Sequence, residues 1–158
     1  MNWVAIGAVG EVVGGLAVFI SLVYLAMQIR SSRRSDQILA AAEAASAVDD
    51  WIGQIVRDEN LWQLYRRGLT DYESLSREEK GRFSMLILQF LRSMEVIWYQ
   101  RQLGAIEPGY WSSMEITIKG VISSSGASRS FKRYRSFLSP EFGNMVDEIL
   151  TQSDTTQT

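Results

Sequence analysis

Trp3 to Ile29 reads WVAIGAVGEVVGGLAVFISLVYLAMQI, and the reading of these 27 residues decides the fold. Twenty of them are apolar and Glu11 is the single charge. The 158-residue chain as a whole has a mean hydropathy near zero, because the remainder is only roughly 40 % hydrophobic, an ordinary value for a soluble domain. As a helix the stretch would be about 40 Å long, and its uncharged part from Val12 to Ile29 about 27 Å, close to the thickness of a hydrocarbon core. The pattern predicts one transmembrane helix within residues 1–29. The alternatives are a cleaved signal peptide and the core helix of a soluble protein. No Lys or Arg precedes the apolar run, the run exceeds a typical signal core, and Arg30, Arg33 and Arg34 follow it without a small-residue cleavage site, which disfavours the first. By the positive-inside rule those arginines stay in the cytoplasm, so the N-terminus is expected outside and residues 30–151 form a helical cytoplasmic domain.

Two features of the segment go beyond anchoring. Gly7, Gly10 and Gly14 fall on one helix face, and the four-residue step from Gly10 to Gly14 is the spacing that lets two helix backbones approach closely. Beside that stripe lies Glu11, a candidate ion or proton site if it is submerged, since ionisable groups inside a membrane are expensive. The plainer reading sets Glu11 and Trp3 at the outer interface and takes the glycines as ordinary membrane-helix composition.

Histidine and cysteine are both absent. Nucleophile systems built on imidazole or thiol, zinc sites with N/S ligands, iron–sulfur clusters, attached haem and disulfides are therefore excluded. No cofactor or metal is expected, and a net charge of −2 argues against nucleic-acid binding through bulk charge.

Beyond the arginines the helical pattern continues. Ile38, Ala41, Ala45, Val48, Ile52 and Ile55 step by three and four residues, and neither Gly nor Pro occurs between Gly15 and Gly53. One helix from about residue 3 to 57 is predicted, its seam packing on the rest of the chain or on another copy. Asn60 is the expected cap of a short helix, LWQLYRR, ended by Gly68 in a left-handed conformation. Ser76-Arg77-Glu78-Glu79 is a capping box. It opens a helix whose residues Phe83, Leu86, Ile87, Phe90, Leu91, Met94, Ile97 and Trp98 form the expected core up to Gly104. Pro108 starts a further helix with Tyr110, Trp111, Met114, Ile118, Val121 and Ile122 as its apolar set. Residues 123–128, SSSGAS, read as a break, and Ser139-Pro140-Glu141 as the start of a last helix to about Leu150, followed by a polar, disordered tail at 152–158. No alternating strand pattern occurs, so the expected class is all-α.

Three clusters invite a chemical reading. Arg129, Lys132, Arg133 and Arg135 follow the Ser/Gly stretch and are the candidate site for an anion or lipid headgroup, the alternative being a solvated basic face behind a Ser128 cap. Six acids between residues 36 and 59 (Asp36, Glu43, Asp49, Asp50, Asp58, Glu59) stand against one cation, Arg57, and are placed to attract the basic segment within one chain or across a subunit contact. Neighbouring carboxylates such as Asp49 and Asp50 point about 100° apart on a helix, which disfavours a metal site there. Glu95 sits among apolar residues three positions after Arg92, a surface pair or a buried carboxylate.

Several blocks also match a wider pattern: Asn2-Trp3, Ile6-Gly7, Gly10-Glu11, the exit Tyr24-Leu25-Ala26 to Gln28-Ile29-Arg30, Arg67-Gly68-Leu69 and Leu138-Ser139-Pro140-Glu141-Phe142. In these the chain resembles a widespread family of small uncharacterised bacterial single-pass membrane proteins. The resemblance implies a bacterial source, an inner-membrane location and a helical cytoplasmic domain, and carries no catalytic residue with it. The expectation is a non-catalytic scaffold or assembly module, associating through Gly7, Gly10 and Gly14 with membrane lipid around it, as a homo-oligomer or within a larger membrane complex. The alternatives are a homo-oligomeric pore with a ring of Glu11 and an accessory subunit.

Overall fold

The computed structural model describes residues 3–155, with side-chain surroundings for residues 11, 14–32, 35, 36 and 38–152. It contains six α-helices and no strand among the described residues: α1 (Trp3–Arg57), α2 (Glu59–Thr70), α3 (Arg77–Gln102), α4 (Pro108–Ile122), α5 (Ser125–Tyr134) and α6 (Pro140–Thr155). Short 3-10 turns at Tyr72–Ser74 and Arg135–Phe137 lead into α3 and α6. The all-α expectation holds. The chain divides into two compact units, Met1–Ile38 and Leu39–Thr158.

The first unit is the opening part of α1. Its stretch Gly14–Ser32 is long and apolar enough to cross a membrane, and none of it is buried within the chain. Leu16, Val18, Phe19, Ile20, Leu22, Val23, Tyr24 and Leu25 are exposed, and at 100° per residue they cover most of the helix circumference, leaving a narrow face of Gly14, Ala17, Ser21 and Gln28. On that face Ser21 donates its hydroxyl to the Ala17 carbonyl at 2.8 Å and so carries its own hydrogen bond.

The second unit is built around α3. Phe83, Ile87, Phe90, Leu91, Met94 and Ile97 are at most 1 % exposed, and with Leu86 they form the centre of the core, as their spacing predicts. The capping box at Ser76 is present in full: Glu79 N–H donates to the Ser76 hydroxyl, and the Ser76 N–H donates to the Glu79 carboxylate at 2.8 Å. Past the other end of α3, Gly104 takes a positive φ of 74°, the left-handed position expected after a helix.

Elsewhere the sequence pattern and the structure part company. The buried face of α1 is Ala40, Ala44, Trp51 and Ile55, with Ala41 and Val48 partly covered, while Ile38 and Ile52 of the expected seam are exposed. Trp51 sets that rotation. Its ring packs 4.9 Å from Phe90 and 5.5 Å from Tyr65, and its Nε1 donates to the Leu86 carbonyl at 3.0 Å, so the largest side chain turns the helix and carries the small alanines inward. The seam between residues 40 and 55 thus packs within the chain.

Asp58, not Asn60, caps α2, because its carboxylate accepts from both Asn60 and Leu61 N–H groups. Gly68 does not end that helix; it lies inside it, buried under the Phe83 ring, whose atoms stand 2.1 Å from where a Cβ would be. The Ser/Gly stretch breaks the chain only at Ser123 and Ser124: α5 starts at Ser125, capped by the Ser124 hydroxyl rather than by Ser128. Within it Gly126 lies against α2, where a Cβ would stand 2.1 Å from the Gly68 carbonyl oxygen. Gly126 thus lets α2 and α5 touch backbone to backbone, and Gly68 lets the Phe83 ring of α3 close on α2. Finally α6 runs to Thr155, past the expected end near Leu150, so residues 152–155 are helical rather than a disordered tail; 156–158 lie outside the described residues.

Candidate functional site

The side chains that the sequence singles out are spread over the two units. In the first, Glu11 is exposed, and Gly14 and Gly15 have no atom within 4 Å of the position a Cβ would take, so the small-residue face is open there. Gly7 and Gly10 belong to α1, but their surroundings lie outside the described residues.

In the second unit the four basic residues of α5 and its exit do not converge on one point. Arg129 is ion-paired with Glu73, which also binds Lys80 at 3.1 Å, and the two cations flank the Tyr72 ring at 5.8 and 5.3 Å. These contacts hold the Glu73 carboxyl below its ordinary pKa, the Lys80 hydrogen bond most of all and the Arg129 charge next. Arg135 lies flat over Gly143 and binds the Asp147 carboxylate, the Asn144 amide oxygen and the Pro140 carbonyl, which tethers α6. Lys132 and Arg133 remain exposed and make no ion pair among the described residues. The basic segment therefore divides into two cations that tie the fold together and two that face outward.

Glu95 pairs with Arg92 at 4.0 Å, and its shorter contact is the Ser139 N–H at 2.6 Å. Arg92 in turn donates to the Phe137 carbonyl. Together they hold the turn that leads into α6, a structural role that the three-residue spacing only half discloses. Arg67, in the last turn of α2, binds Glu79 with both terminal nitrogens at 3.0 and 3.3 Å. The Glu79 carboxyl is held below its ordinary pKa, first by the Ser76 backbone N–H and then by Arg67. None of the acids Glu43, Asp49 and Asp50 pairs with a cation among the described residues. Among the described residues the acidic stretch thus forms no ion pair with the basic segment.

One feature escaped the sequence reading. Along the outer side of α3 runs a shallow groove in two continuous parts of about 510 and 520 Å³, sharing Met85 and Gln89. Tyr134 closes one part and Val96 the other, with Arg82 and Arg92 on the rim. Its only sequence signal is Met85, Val96, Tyr99 and Leu103, a second apolar series on α3 offset from the core series and exposed in the structure.

No protein family, curated relative or solved structure matches this chain.

Proposed function

We propose that the chain is a non-catalytic, single-pass protein of the bacterial inner membrane that works by position and association: an anchor that brings copies together and carries a helical scaffold or assembly module. The observation that carries this reading is the stretch Gly14–Ser32, which exposes large apolar side chains over most of its circumference and is covered by nothing within the chain. A helix with so wide an apolar surface needs a hydrophobic environment. With no protein core around it, the bilayer supplies that environment. Arg30, Arg33 and Arg34 directly after the span support an outside N-terminus and a cytoplasmic helical unit. The opening-block resemblance supports the bacterial source. The open face at Gly14 supports close helix approach, with Gly7 and Gly10 continuing it in sequence.

Membrane fractions washed with alkaline carbonate test the anchor: the protein is expected to stay in the pellet, and release into the wash overturns the reading. Cross-linking in native membranes tests association through the span. A ladder of homo-oligomers is expected for the wild type and its loss for Gly14→Leu, whereas a chain that stays monomeric after mild extraction removes the self-association.

A further inference from the structure

The core-facing side of α1 is occupied by its own chain, but the opposite side of the same helix carries a second ordered stripe. Ala42, Ala45, Asp49, Ile52 and Val56 follow at steps of three, four, three and four, so they share one face. Ile52 and Val56 are 45 % and 64 % exposed. This is an apolar edge carrying one acid, Asp49, which makes no ion pair among the described residues. The groove on α3 has the opposite character: a floor of Met85 and Leu88, with cations at its rim. Arg82 lines it without a carboxylate partner, and Arg133, equally unpaired, lies over the Tyr134 ring at 5.6 Å. Glu78 is the groove's one acid.

We infer that the α3 groove receives the outward α1 stripe of a second copy of this chain, Ile52 and Val56 entering beside Met85 while Asp49 meets Arg82 and Arg133. Helix-in-groove recognition needs apolar anchors at these spacings on the guest and a furrow of similar length on the host. The stripe from Ala42 to Val56 and the groove from Gly81 to Val96 each run about 20 Å. Charge sorts the partner, because an acidic helix fits a basic rim and a basic one is repelled. The chain cannot fill its own groove: Trp51, hydrogen-bonded to Leu86, fixes α1 with the stripe turned away from the core. The contact deepens the self-association read above and rests on it, but it engages the helical unit rather than the membrane span.

The absence of cysteine makes the test direct. Full-length Val56→Cys and Met85→Cys forms carrying different tags, mixed in detergent and treated with a short bis-maleimide, are expected to give the mixed 56-to-85 cross-link in excess of either self-pair. Arg82→Glu with Arg133→Glu on the groove form should lower that yield at least about tenfold, and Asp49→Arg on the stripe form should restore it. The inference is overturned by a mixed yield no higher than that of a Ser113→Cys control, by a yield indifferent to charge reversal, or by loss without restoration in the reversed pair. Gly14→Leu should leave the 56-to-85 product intact, so failure of the span contact and failure of this contact read out separately.

Discussion

Two carboxylates and two glycines show how single residues set the stability of the helical unit. Glu79 and Glu73 both titrate below the ordinary glutamate value of about 4.3 in the folded chain. Because the unfolded chain takes up protons first as pH falls, their contribution is complete above that value and is lost as pH drops through the lower, folded one. The melting temperature of the helical unit is therefore expected to fall as the pH is lowered through about 4.3 and below, and Glu79→Gln should lower it at neutral pH while making the acid decline shallower. Thermal melts followed by circular dichroism across that range check both parts. The glycines act by shape. At Gly126 a methyl group would meet the Gly68 carbonyl, a backbone atom that cannot rotate away, whereas Gly120 on α4 has open space around it. Gly126→Ala is expected to destabilise by about 1–3 kcal/mol through overpacking. Gly120→Ala should instead stabilise by up to about 1 kcal/mol through helix propensity. Urea midpoints of opposite sign relative to wild type are the expected result, and a neutral Gly126→Ala would contradict the close approach of α2 and α5.

Among the elements, α3 was legible in the sequence and α1 only in part, for a physical reason that Trp51 illustrates. In α3 the capping box and eight large apolar residues at helical spacing agree, so local and tertiary signals point to one face, and all but Trp98 among them prove fully buried. In α1 the apolar residues lie on two faces, and periodicity alone cannot rank them; the choice falls to the side chain with most surface to bury, which is Trp51. The same limit explains α5. Serine and glycine are weak helix formers, yet Gly126 and the buried Ser130, hydrogen-bonded to Ser84 and to the Gly126 carbonyl, are needed there because the helix packs so closely. Tertiary contact overrides the local break. The basic segment was visible as charge, but which of its members are taken up by Glu73 and Asp147 depends on partners distant in sequence. If Trp51 orients α1, then Trp51→Phe, which loses the bond to Leu86, should cost about 0.5–1.5 kcal/mol, and Trp51→Ala about 3–5 kcal/mol. Hydrogen exchange should show the added loss of protection spreading through residues 40–57; protection confined to its wild-type level there in Trp51→Ala would remove Trp51 from this role.

At the scale of the whole molecule, the division at Ile38/Leu39 separates two kinds of stability. The helical unit buries its own core, including the Ala40, Ala44, Trp51 and Ile55 side of α1, whereas Gly14–Ser32, long and apolar enough to cross a membrane, buries nothing within the chain. A chain so divided should have its orientation set at the junction, independently of the folded unit. The three arginines at positions 30, 33 and 34 sit there, directly after the apolar run. A reporter fused after Thr158 that is active only in the periplasm is expected to be silent on the wild-type chain. Replacing Arg30, Arg33 and Arg34 together by Gln, while adding two Lys before Trp3, reverses the charge bias and should switch the reporter on without altering the core residues. A reporter already active on the wild type would place the helical unit outside the cell, whatever the charge at the junction.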